Sequence, residues 1–171
     1  MPESWYESVL DNSLEQGDLL YEFPIVKADV TAEHVQQILA GEEPDIGAEV
    51  VLINAIILTQ SCDLQNDKTE TVILCPLWDD ENGQFGKNKM NEIRAGRRFG
   101  WHLLNRDEAQ EIPFTVVEFS RLFMAKRSAV VQFISNGQSR PRLLSPYKEH
   151  LSQAFARYFM RVGLPSDIPK F

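Results

Sequence analysis

Val50-Val51-Leu52-Ile53-Asn54-Ala55-Ile56-Ile57-Leu58 and Thr71-Val72-Ile73-Leu74-Cys75-Pro76-Leu77 are the two most apolar runs of the chain. Both are β-branched and continuous, so they read as adjacent strands of one curved sheet. The first does not alternate with polar residues, which predicts a strand buried on both faces. The second is expected to stop at Pro76, which has no N–H for a ladder.

The reading extends outward from these strands. Gly17-Asp18 is a turn signal that opens a strand over Leu19–Val26, bent or at an edge at Pro24. Thr31 suits the N-cap of a short helix, Ala32–Ala40, stopped by Gly41, with Val35, Ile38 and Leu39 on one face. The polar link Thr59–Lys68 is longer than a tight hairpin needs, so it is expected to be held in place or put to use. Residues 79–88 read as a flexible excursion and Lys89–Ala95 as a short helix ended by Gly96. Phe99–Leu104, Ile112–Phe119 and Arg142–Leu144 read as strands, while Ser128–Ser135 fits strand or helix equally. The last element is the plainest. Ser145 is the expected N-cap of a helix, Pro146 its first residue, and Gly163 and Pro165 its stop. Tyr147, Leu151, Phe155, Tyr158 and Val162 form one apolar stripe, with His150, Arg157 and Arg161 on its flank.

With 171 residues, 43% hydrophobic and 25% charged, the chain has the composition of one globular domain, neither disordered nor fibrous. The expected arrangement is a β-rich core over 15–144, with its inserted helix near 32–40, closed by a helix over 145–163. No apolar run approaches the roughly 20 residues of a membrane span. The start of the sequence lacks the pattern of a signal peptide, and two cysteines fit a reducing compartment, so a cytoplasmic protein is expected. The net charge of −8 hides a polarity: residues 1–83 hold eighteen acidic and two basic side chains, and residues 84–171 hold fifteen basic and seven acidic ones. Either the halves interleave and neutralise each other, or they make an acidic and a basic face, the latter suited to phosphate or an acidic partner.

The order Gly17-Asp18-Leu19-Leu20, Ala55-Ile56-Ile57-Leu58 and Val72-Ile73-Leu74-Cys75-Pro76-Leu77 resembles the N-terminal half of PemK/MazF-like toxins. The resemblance covers residues 15–78 and implies an α+β fold: an SH3-like bent β-barrel with a short inserted helix and a C-terminal amphipathic helix. It also implies RNA cleavage, but the family's Arg before the second strand is missing from Asp45-Ile46-Gly47-Ala48-Glu49, and Trp78 fills its Thr position. Glu49 has the wrong sign to stabilise an anionic transition state, so the resemblance implies the fold without the family's catalytic site.

Three groups of residues carry candidate chemistry. Cys62 is a candidate nucleophile directly after an apolar strand, with His102 as base and Asp63 or Asp67 as the orienting carboxylate. Its alternative is a small buried thiol. Cys62 and Cys75 are 13 residues apart and lack the paired spacing that pre-organises zinc, so no metal is expected. A disulfide between them would need an oxidising compartment. No phosphate-loop or dinucleotide motif occurs, and no cofactor is expected. Lys87, Lys89, Arg94, Arg97 and Arg98 precede Phe99 and Trp101, a mixture of cations and rings suited to single-stranded RNA or DNA. His150, Arg157 and Arg161 are the second candidate binding group.

The expected function is a non-enzymatic binding module acting with a protein partner or as a homo-oligomer. A bacterial or phage-related multi-component system, toxin–antitoxin-like or defensive, is implied by the resemblance alone. One alternative is an endoribonuclease-like nuclease with a relocated site of Arg97, Arg98, His102 and Asp63. The other is a cysteine hydrolase built on Cys62 and His102.

Overall fold

The structure is a computed structural model that describes residues 4–66 and 68–160. Among the described residues the elements run β1 (Tyr6–Val9), β2 (Leu19–Ala28), α1 (Ala32–Leu39), β3 (Ala48–Ile57), α2 (Ser61–Gln65), β4 (Thr71–Asp79) and α3 (Lys87–Arg94). Then follow β5 (Trp101–Leu104), β6 (Thr115–Glu118), β7 (Phe123–Lys126), α4 (Arg127–Ile134), β8 (Arg140–Leu143) and α5 (Tyr147–Phe159). Every ladder is antiparallel. The main sheet has the order β2-β3-β4-β6-β5, β7 also pairs with β4, and β1 and β8 form a separate pair. The fold is α+β, and among the described residues the expected barrel does not close. A single bridge, Asp18 to Arg142, joins the start of β2 to β8, and the Tyr6 hydroxyl donates to the Asn105 carbonyl just past β5 at 2.7 Å. No helix among the described residues is long and apolar enough to cross a membrane.

The core lies on both sides of the sheet. Leu19, Ile56, Cys75, Leu77 and Val117 pack on one side with Leu151 of α5. Leu20, Ala55, Ile57, Val72 and Leu74 pack on the other with Leu64 of α2 and Val130 and Ile134 of α4. Helices cover both sides, so residues 55–58 have no exposed face on which a polar residue would belong. The outer half of β3 differs from expectation. Val50 is 70% and Leu52 61% exposed, because β4 pairs only with Ala55–Ile57 and the rest of β3 runs beside β2 alone.

Both prolines sit where no donor is required. Pro24 pairs with Leu52 at a position whose backbone groups face away from β3, so β2 continues through it. β4 likewise runs past Pro76 to Asp79, correcting the expected stop. The missing Pro76 N–H points to the edge where β6 gives way to β7 across the excursion Ser120–Leu122. Asn54, the one polar residue in its run, has a structural task. The register of β2 against β3 shifts between Leu20 and Phe23, Glu22 takes φ 57°, and its N–H donates to Asn54 Oδ1 at 3.1 Å. This is a β-bulge whose unpaired donor is met by a side chain.

Other elements match or correct their predictions. Thr31 caps α1 in a capping box completed by His34, whose Nδ1 accepts the Thr31 N–H. The apolar residues of that helix are all exposed. Residues 79–88 carry β4 to its end and then turn into α3: the Gly83 and Phe85 N–H groups donate to Asp80, and the Gly86 N–H donates to the Gly83 carbonyl. The ambiguous Ser128–Ser135 stretch is helix α4, whose Val130 and Ile134 meet the core at helical spacing. Ser145 does not cap α5. Its hydroxyl donates to Glu149, and Pro146 stands at the cap position. The expected helix end at Val162 and Gly163 lies outside the described residues.

A buried ion cluster joins the acidic and basic halves. Asp18 is fully buried and accepts from Arg140 Nε and Arg142 Nη2, each at 3.0 Å, and from Arg142 Nε. Glu15 extends the cluster to Arg142 and Lys148, each at 3.3 Å.

Candidate functional site

The apolar stripe of α5 sets the position of its other residues. Leu151 is buried, and the rings of Phe155 and Tyr158 lie 5.5 and 6.2 Å from Phe119. With the helix seated on that stripe, His150, Gln153 and Arg157 face β5. From the opposite direction, buried Ile93 anchors the end of α3 and presents Arg94, and the chain turns at Gly96 with φ 66° to bring Arg98 alongside. Arg94, Arg98, His102, His150, Gln153 and Arg157 thus line one cleft of about 600 Å³. Trp5, Phe99, Trp101 and Phe114 supply its rings, and among the described residues no carboxylate lines it.

The rings and charges have definite partners. Trp5 stacks on Tyr147 with centroids 4.0 Å apart. Trp101 meets Phe85 edge-on at 5.5 Å. Lys89 Nζ sits over both of these rings, 4.4 and 4.6 Å from their centroids. Arg98 is ion-paired with Glu92 at 2.6 Å. Burial, followed by electrostatic interaction with His150 and Arg157, lowers the His102 pKa from 6.5 to about 4, leaving a neutral imidazole beside arginines.

The two sequence-distant binding groups therefore meet. Arg94, Arg98, Trp101, His102, His150 and Arg157 converge, and Arg161 lies outside the described residues. Lys87, Lys89 and Arg97 do not line the cleft: Lys89 serves the Phe85–Trp101 pair, and the Arg97 N–H closes the α3 turn on the Glu92 carbonyl. Trp5 and Gln153 were absent from the sequence-based expectation, since only the fold brings residue 5 beside residue 153. The α5 periodicity does put Gln153 on the same flank as Arg157.

The proposed Cys62–His102 pairing needs correction. Cys62 is exposed on α2, after β3, whereas His102 sits on β5, with β4 and β6 between those strands. The sulfur neighbours are Gln60 Oε1 at 3.7 Å and Asp63 Oδ1 at 3.8 Å, so Asp63 stays with the thiol and does not orient His102. Asp67 lies outside the described residues. The link is used structurally: Thr59 Oγ1 accepts the Ile73 N–H at 2.7 Å and Ser61 Oγ the Gln16 N–H at 3.1 Å. Cys75 is buried, donates to the Glu118 carbonyl at 2.9 Å, and has its thiol pKa pushed up by burial. Among the described residues no group of three or more His, Cys, Asp or Glu is arranged to hold a metal ion. No protein-family model matches the chain, and no curated protein matches it in sequence.

Proposed function

We propose that the chain is a non-enzymatic binding module that holds a phosphate-bearing partner, single-stranded RNA or DNA, in the cleft between β5 and α5. The observation that carries this reading is the convergence of three arginines, one of them (Arg98) ion-paired with Glu92, and two histidines, from segments about fifty residues apart in sequence, on a cleft walled by rings and with no carboxylate among its described lining residues. Guanidinium groups meet phosphates, and bases stack on aromatic faces at about 1–3 kcal/mol each. A bacterial or phage-related multi-component setting, toxin–antitoxin-like or defensive, is part of this proposal. So is a kinship of the strand core to the SH3-like barrel of PemK/MazF-like toxins. In its support, Gly17-Asp18 opens β2, the two apolar runs are neighbours, and β8 and β1 lead from Asp18 back toward β5.

Fluorescence anisotropy of a labelled twelve-nucleotide oligouridine tests the binding reading. Affinity is expected to fall with salt, and an Arg94→Ala, Arg157→Ala double variant to lose at least about tenfold while its salt slope shrinks by about 1–2. No binding, or equal binding by a folded double variant, sinks the reading. A second reading, the endoribonuclease-like one, is favoured by one observation: Arg98 and His102 share the cleft with His150. Cleavage of the same RNA that disappears in His102→Asn would establish it.

A further inference from the structure

The main sheet splits at one end. β3 pairs with β4 only where Ala55–Ile57 meets Leu74–Pro76. Away from that contact β3 stays with β2 and β4 goes with β6. The Leu58 N–H donates to the Ile73 carbonyl at 2.9 Å, and strand alternation from this bond directs the backbone groups of Val50, Leu52 and Asn54 away from β2. Leu52 and Asn54 line a groove of about 1200 Å³ between the two diverging strands, Val50 continues the same edge just beyond it, and Leu77 lines it from β4. Among the described residues β2 pairs with this stretch of β3 on one side, and no strand pairs with it on the side that faces the groove.

Two properties identify what fits there. First, Pro24 and Val26 of β2 lie opposite Leu52 and Val50 of β3, making one apolar stripe whose Val26 is 69% exposed. An unpaired edge with exposed aliphatic side chains is a template for another strand. Second, Glu22, Asp29, Asp79 and Glu81 line the groove, and none of them has an ion-pair partner among the described residues. The two cations that line it are already engaged, Lys27 with Glu49 and Arg121 with Glu118. The carboxylates disfavour a nucleic-acid backbone and favour lysine and arginine.

We propose that this groove receives an extended segment of a protein partner, with lysine or arginine alternating with aliphatic residues, as an added strand along Val50–Asn54 of β3. The aliphatic side chains of the segment cover Val50 and Leu52, and its cations meet Asp79 and Glu81. This goes beyond the nucleic-acid reading and does not rest on it, since the groove and the cationic cleft share no lining residue.

The test titrates the full chain with a fluorescein-labelled octapeptide alternating lysine and valine. Comparison peptides carry glutamate for lysine, or N-methyl groups on alternate residues in either of the two phases. The lysine peptide is expected to bind, with affinity lower by at least about tenfold for the glutamate peptide and for one N-methyl phase. An Asp79→Lys, Glu81→Lys variant is expected to lose the preference for lysine, and the peptide series decides the matter alone if that variant does not fold. Absence of binding, equal binding of lysine and glutamate peptides, or indifference to both N-methyl phases overturns the proposal. Self-association of the chain that Leu52→Lys abolishes would assign the edge to a second copy instead, and also overturns it.

Discussion

Asp18 is a fully buried carboxylate held by two guanidinium groups that are themselves buried. Bringing such charges out of water is costly, and removing one partner leaves the others uncompensated. Asp18→Asn is therefore expected to destabilise the protein by about 3–5 kcal/mol, read as a lower denaturant midpoint at unchanged slope. His102 acts at the same scale through its proton. Its folded pKa of about 4 lies below the ordinary 6.5, so between those values the unfolded chain binds a proton that the folded chain refuses. The associated stability is full above pH 6.5 and disappears as pH falls toward 4. The cleft admits solvent to the ring, so the loss is about 2 kcal/mol rather than the full value of the shift. Stability measured across this range is expected to fall less steeply in His102→Asn than in the parent.

Individual elements depend on residues that propensity scales would not single out. The bulge in β2 survives because Asn54 accepts the Glu22 N–H that the register shift leaves unpaired. Asn54→Ala is expected to cost about 1–2 kcal/mol, with exchange of the Glu22 amide accelerated ahead of its neighbours as the direct readout. Helix α5 carries both a structural and a functional face. Leu151 is its one fully buried side chain, and replacing it with alanine is expected to cost about 2–5 kcal/mol. Because the same helix presents His150 and Arg157, Leu151→Ala is also expected to weaken oligouridine binding without touching a cleft residue. Unchanged binding in a destabilised but folded Leu151→Ala protein would separate those two roles.

Across the molecule, the charge polarity of the sequence resolves in two ways at once. Part is neutralised internally, where Asp18 and Glu15 meet Arg140, Arg142 and Lys148. Another part is segregated, with cations around the cleft at α5 and carboxylates along the groove at β3. The pairing of the two apolar runs and the buried stripe of α5 were legible from local pattern. Continuous β-branched runs have few ways to be buried, and a stripe at helical spacing has one face to hide. Thr31 and the turn signal Gly17-Asp18 were legible for the same reason, as each acts on its immediate neighbours. The strands β1 and β7 were not, because each has only four residues and owes its conformation to a partner far along the chain. Helix α4 was undecided for want of length, and its packing against Val72 and Leu74 settled it.

By itself, then, the sequence determined which segments must be buried and which residue types were available for binding. Hydrophobic periodicity and capping are short-range, and they act within a few residues of where they are written. Only the tertiary structure decided that His102 belongs with His150 and Arg157 rather than with Cys62, and that β3 and β4 part company beyond Ala55. Those outcomes depend on which distant surfaces pack against each other, a balance of long-range contacts that no local pattern encodes.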